Sequence, residues 1–173
     1  MVTRMNKIRR SVTWLLGLTI LFTACDGNGF RDEVQGEAMP TRPNITHLNS
    51  LTWNPTALID SGLTLLTFIN PDCEHCHYQT GALLGEDAAK PAGLRLAFLS
   101  DVHPDSLKAF ASQFTYDNTA TVFLWDEGGI VAQQMGVSSY PTMFLYDTAG
   151  VHLQTIVGEA KPGYVYKFFH ATH

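Results

Sequence analysis

Cysteine is scarce in this 173-residue chain: the three present, Cys25, Cys73 and Cys76, cannot build a disulfide-rich scaffold. Internal repeats and low-complexity tracts are absent, so the length indicates one domain plus accessory segments. An N-terminal apolar stretch, Val12 to Ala24, has 13 residues and is too short to span a bilayer comfortably. Basic charge is also in short supply. Of 11 Lys and Arg residues, four (Arg4, Lys7, Arg9 and Arg10) lie in the first 24 residues, which hold none of the 16 Asp and Glu residues. Without that segment the chain keeps seven basic against 16 acidic residues, a formal −9, which argues against nucleic acid or acidic lipid as partners. The hydrophobic fraction of 45% is enough for a globular core.

The basic cluster followed by Val12 to Ala24 reads as an export signal, residues 1–24, and not as part of the fold. It ends in Leu21-Phe22-Thr23-Ala24-Cys25. Small residues directly before a cysteine resemble the lipobox of bacterial lipoproteins, with Phe22 where leucine is commoner. That resemblance implies lipidation of Cys25, so that lipid rather than charge attaches the protein to a membrane. An ordinary signal peptide, or an uncleaved anchor, with an incidental cysteine is the competing reading. Each of these puts the domain outside the cytoplasm. Asp26 resembles an inner-membrane retention signal of some Gram-negative bacteria, which leaves the choice of membrane open. Residues 25–46, rich in Gly, Asp, Glu, Asn and Pro, read as a flexible tether, and 47–173 as the domain.

The remaining two cysteines sit in Leu63 to Gln79, LTLLTFINPDCEHCHYQ. Leu63 to Ile69 is a short apolar run typical of a buried strand. Asn70-Pro71-Asp72 breaks it with turn residues. Tyr78, Leu83 and Leu84 then follow Cys73-Glu74-His75-Cys76 at helical spacing, which indicates a helix to about Ala89. A Cys-x-x-Cys on the first turn of a helix after a buried strand is a redox-site arrangement. Free N–H groups and the positive end of the helix dipole favour an anion there, and the thiolate is the reactive form of cysteine.

Around this stretch Leu48, Leu51, Trp53, Leu58 and Ile59 anchor a short helix near Pro55–Asp60. Further strands are expected at 94–99, 120–125, 142–146 and 151–157, the last two joined by the Asp147–Gly150 turn. Helices are expected at Pro104–Phe114, at Ile130–Met135 closed by Gly136, and at Lys161–His170 with Val165, Phe168 and Phe169 inward. Alternating β and α elements, then a β-hairpin and a helix, indicate an α/β domain with a mixed sheet.

This order, with Tyr140-Pro141-Thr142 opening a later strand, resembles the thioredoxin fold. Val122-Phe123-Leu124-Trp125-Asp126 and Gly136-Val137-Ser138-Ser139-Tyr140-Pro141-Thr142-Met143-Phe144-Leu145-Tyr146-Asp147 are similar to its TlpA/ResA-like branch. So are the 64 residues between Cys76 and Pro141. The resemblance covers about residues 47–170. It implies a central mixed sheet flanked by helices, with a strand–helix insertion between the Cys-x-x-Cys helix and the strand after a cis-proline at Pro141. It implies further that Cys73 attacks, Cys76 resolves the mixed disulfide, Pro141 shapes a peptide groove and Tyr140 influences which partner docks. No cofactor or metal is required. Implied partners are cysteine-containing exported proteins, apocytochromes of cytochrome c biogenesis among them, and a membrane-bound thiol electron donor or acceptor. Three positions depart from the family. Thr67 replaces a buried aspartate, Gln79 a glutamate three residues after the second cysteine, and Phe68 to Asp72 the usual Trp-x-x-Trp lead-in. Glu74, His75, His77 or water would have to accept the proton.

The dipeptide between the cysteines tunes the poise in opposite directions. His75 favours the thiolate and an oxidising disulfide, while Glu74 repels the anion. The scaffold favours a reductase, His75 an oxidant. Cys73 to His77 also matches Cys-x-x-Cys-His, the c-type haem attachment motif, with His77 as axial ligand. The buried strand before it and the Pro141 segment weigh against a cytochrome. Copper or zinc carriage by the two cysteines and a histidine is a further reading, against which His103, His152, His170 and His173 lie scattered. A purely structural disulfide would close too short a loop to stabilise much. A non-catalytic binding lipoprotein on the same fold is the reading without an enzyme. The aromatics, Trp53 and Trp125 included, read as core, Asp101 as a solvated turn, and His170 and His173 as a frayed end.

Overall fold

The computed structural model of the chain describes residues 45–47, 52–53, 62–85 and 89–170. The export signal, Cys25, most of the tether and the helix expected at Pro55–Asp60 lie outside the described residues. Seven strands form one sheet: β1 (Ile45–His47), β2 (Thr52–Trp53), β3 (Thr64–Phe68), β4 (Arg95–Ser100), β5 (Thr121–Asp126), β6 (Thr142–Tyr146) and β7 (His152–Val157). Their order is β2-β1-β5-β4-β3-β6-β7. The central β5-β4-β3 strands are parallel, and β6, β7, β1 and β2 are antiparallel to their neighbours. The sheet is mixed, as the alternation of elements implied. β1 and β2 are too short to leave a periodic signal, and the sequence did not announce them.

Four helices complete the described elements: α1 (Glu74–Leu84), α2 (Pro104–Ala111), α3 (Ile130–Gln134) and α4 (Pro162–His170). Two strand–helix units, β4-α2 and β5-α3, therefore separate the cysteine helix from β6. Successive strand residues point to opposite faces, and both faces are covered. On one, Leu65, Leu96, Phe98, Phe123, Met143 and Leu145 pack against residues of α1, α2 and α4. On the other, Leu66, Phe68, Ala97, Leu99, Leu124 and Phe144 meet Val131, Ala132 and Met135 of α3 and its C-terminal end. Double coverage explains why the central strands read as continuous apolar runs rather than as alternating ones.

The structure corrects three details. α1 ends at Leu84 rather than near Ala89, because Gly85 is extended (φ −59°, ψ 155°). α2 ends at Ala111 rather than Phe114, and its last turn is closed by Ser112 and Gln113 bonding back to Lys108 and Phe110. In α4 the inward stripe is Val165, Tyr166 and Phe169, with Phe168 only partly buried. Tyr166 takes the inner place because its hydroxyl donates to the carbonyl of Leu83 at 3.1 Å, fastening α4 to the end of α1. Burial pushes that phenol up to about 12. At the end of β5, the fully buried Asp126 accepts N–H bonds from Val131 (3.0 Å) and Ala132 (2.9 Å), fixing the start of α3. Burial raises its pKa against the pull of those donors.

Candidate active site

The turn before α1 is set by its own residues. Asn70 Oδ1 accepts the Asp72 N–H at 2.9 Å, and the Asn70 carbonyl accepts the Cys73 N–H at 3.0 Å, with Pro71 at the second turn position. Cys73 thereby becomes the N-cap of α1, where the positive end of the helix dipole acts. Its carbonyl accepts the N–H groups of Cys76 and His77 at 3.0 and 3.2 Å. Both cysteines are free thiols, Cys73 partly exposed and Cys76 fully buried.

The two sulfurs occupy different environments. Cys76 Sγ accepts the Asn70 N–H at 3.4 Å. Burial nevertheless pushes its thiol up to about 12; neighbouring Cys73 and the charge of Glu159 act in the same direction, and the Asn70 N–H opposes them. Cys73 Sγ lies 3.9 Å from the carbonyl of Tyr140, across 67 positions of sequence. An accessible sulfur beside a peptide carbonyl, with a second sulfur one turn behind it, is suited to attack and then release. At pH 8, iodoacetamide is expected to modify Cys73 while Cys76 stays unmodified until the chain is unfolded in guanidinium. Peptide mapping reads the two sites separately, and equal labelling of both would contradict this burial.

The Tyr140–Pro141 peptide bond is cis, as the resemblance implied, and the Tyr140 carbonyl beside Cys73 Sγ puts the start of β6 next to the cysteines. Tyr140 is half-buried and packs against both apolar layers. Burial foremost, then the charges of Asp101 and Asp126, raises its phenol pKa. Asp101, read from sequence as a solvated turn, is exposed and stands near enough to Tyr140 to act on it. Glu74 is exposed and belongs to the first turn of α1.

The remaining candidates divide. His77 is half-buried: its Nε2 donates to the Pro71 carbonyl at 2.7 Å and its ring lies 4.6 Å from that of Phe110. His77 Nε2 is thus held by backbone, while Cys76 is sealed from solvent. Thr67 is buried on β3, and its hydroxyl has no hydrogen-bond partner among the described residues. Gln79 is fully buried, and its Oε1 accepts the Ala160 N–H at 2.7 Å. Among the described residues no three His, Cys, Asp or Glu side chains gather as a metal site, and no helix is long and apolar enough to cross a membrane. A groove of about 640 Å³ beside α1, bordered by His77, Tyr78, Gly81 and Pro162, contains neither cysteine.

One residue escaped the sequence reading. Glu159 Oε1 meets His75 Nδ1 from 84 positions away. The hairpin register explains its place: Val157 opposes Thr142, so the residues after β7 emerge beside Pro141.

No protein-family model and no curated protein matches the chain. Solved structures do. A putative thiol:disulfide interchange protein DsbE from Chlorobium tepidum aligns with a TM-score of 0.67 at 18% identity, over 80% of this chain and 96% of that one. A secreted Mycobacterium tuberculosis disulfide oxidoreductase gives 0.61 at 18% identity, over 76% and 96%. An exposed lipoprotein thioredoxin from Streptococcus pneumoniae gives 0.57 at 16% identity, over 73% and 96%. The chain has the thioredoxin-like fold.

Proposed function

We propose that the chain is a lipid-anchored, extracytoplasmic thiol–disulfide oxidoreductase of the TlpA/ResA-like kind, working as a reductase. The observation that carries this reading is the cysteine pair itself. A partly exposed Cys73 at a helix N-cap, touching the Tyr140 carbonyl, is backed by a buried Cys76. The named activities of the structural neighbours, disulfide oxidoreductase and thiol:disulfide interchange protein, favour it too. A lipoprotein among them accords with the lipobox-like Cys25. Export signal 1–24 would then be removed, and tether 25–46 would hold the domain away from the membrane.

In the proposed cycle the Cys73 thiolate attacks one sulfur of a partner's disulfide. A Cys73–partner disulfide forms and one partner thiolate leaves. Cys76, once deprotonated, attacks Cys73 Sγ, releases the second partner thiolate and closes the Cys73–Cys76 disulfide. Two electrons pass to the partner, and a membrane-bound dithiol donor restores the pair. Tyr140 and Pro141 line the approach of the partner chain, and Glu74 and His75 tune the poise. Exported proteins with cysteines, apocytochromes among them, are the proposed substrates.

Redox titration of the purified chain in glutathione and dithiothreitol buffers, read by alkylation and peptide mapping of Cys73 and Cys76, tests this. A potential well below about −200 mV is expected of a reductase, whereas a value near about −120 mV would reverse the direction. A pair that forms no disulfide in any buffer would overturn the activity, and a haem Soret band would replace it with a cytochrome.

A further inference from the structure

The segment after β7 is bound to the site at three successive residues. The Gly158 N–H donates to the carbonyl of Pro141 at 2.8 Å. Glu159 pairs through its carboxylate with the Nδ1 of His75. The Ala160 N–H donates to Oε1 of the buried Gln79 at 2.7 Å. Gly158 makes this possible with φ 86°, a left-handed backbone that glycine adopts without strain. Gly158 to Ala160 therefore form a strap from the proline opposite the cysteines to the cysteine helix, and the strap delivers one carboxylate to the residue between the two sulfurs.

That placement bears on the conflict between scaffold and dipeptide. An unpaired histidine one turn inside the pair would lend positive charge to a thiolate, stabilise the dithiol and make the disulfide oxidising. Here the imidazole already has an anionic partner. We propose that Glu159 is a positioning residue for the redox pair: by engaging His75 it withholds the imidazole from the Cys73 sulfur and keeps the pair reducing. The inference rests on the oxidoreductase reading above and deepens it. His75 and Glu159 keep 73% and 36% of their side-chain surface exposed, so water weakens the pair and the effect is moderate. The charge of Glu159 also acts on Cys76 in the same sense, against the thiolate.

The test is the equilibrium in which the chain's disulfide and two glutathione thiols exchange with its dithiol and glutathione disulfide. In Glu159→Gln the constant for this reduction is expected to rise about three- to tenfold, the upper figure corresponding to about 30 mV for two electrons. Glu159→Asp should stay nearer the parent, and in a His75→Ala background Glu159→Gln should shift the constant less than about twofold, as coupled residues do. An unchanged constant in Glu159→Gln overturns the proposal. A full shift that persists without His75 does so as well, since Glu159 would then act on the sulfurs directly. A parent chain whose cysteines do not titrate at all would instead sink the oxidoreductase reading. Glu159 is on the surface, and a circular dichroism spectrum matching the parent confirms that each variant is folded.

Discussion

Cys73→Ser is expected to abolish disulfide exchange, lowering the rate by about a thousandfold or more, as removal of a nucleophile does when no other group substitutes for it. The other thiol of the pair cannot take over. Cys76 has no exposed surface, its thiol is pushed up to about 12, and Asn70 occupies its sulfur. A serine hydroxyl at position 73 keeps the helix cap but offers no thiolate at neutral pH. Cys76→Ala should give the complementary failure. Attack by Cys73 continues, resolution stops, and a mixed disulfide with a model disulfide substrate accumulates in nearly stoichiometric amount. Insulin-disulfide reduction with dithiothreitol as donor measures the first variant, and non-reducing mass spectrometry the second. If Cys73→Ser retained more than about a tenth of parent activity, the assignment of attacking and resolving sulfurs would have to be exchanged or abandoned.

The contrast between the sulfurs also sets a pH dependence for the proposed cycle. In the dithiol state Cys76 holds its proton throughout the physiological range, because its pKa is raised, not lowered. Resolution of the mixed disulfide therefore needs proton removal and should accelerate as pH rises from 6 to 9. None of the three side chains considered from sequence is free and inward-facing for this task. Glu74 is exposed, His75 is paired with Glu159, and His77 is bonded to Pro71.

Much of this site was legible because its signals are local. The apolar run 63–69, the Asn-Pro-Asp turn and the cysteine spacing each act within a few residues, and the strand, turn and helix formed where those signals fall. Pro141 was legible for another reason: its surroundings resemble a known pattern. What stayed hidden depends on distant registers. Glu159 approaches His75 only because β7 pairs with β6 so that Val157 opposes Thr142, and a bulge between Leu145 and Tyr146 adjusts that register. Tyr166 displaced Phe168 from the inner stripe of α4 because the Leu83 carbonyl was within reach of its hydroxyl. Helical periodicity alone treats the two aromatics alike. β1 and β2, of three and two residues, are strands only by virtue of the partners beside them.

The apolar layer beneath the cysteines makes Phe98→Ala the core substitution expected to cost most. Phe98 has no exposed surface and lies opposite Phe123 in the β4–β5 register, their rings stacked at 4.9 Å and 18°. Phe123 in turn meets Phe110 at 6.2 Å, and Phe110 meets His77 on α1 at 4.6 Å. This continuous aromatic path joins the middle of the sheet to the helix that carries Cys73 and Cys76. Truncating a buried phenylalanine to alanine removes the transfer energy of the ring and leaves a cavity that close-packed neighbours fill only in part, about 3–5 kcal/mol in all. Domains of this size hold only about 5–15 kcal/mol in total, so the variant should lose from about a fifth to nearly all of the parent's stability. Phe98→Leu, which keeps most of the volume, should cost less than about 1.5 kcal/mol. Guanidinium unfolding of both variants by circular dichroism gives the two losses directly. A loss below about 1 kcal/mol for Phe98→Ala would mean that the stack around Phe123 collapses freely onto the vacated space. The aromatic path could not then be what holds α1, and with it the cysteine pair, rigid against the sheet.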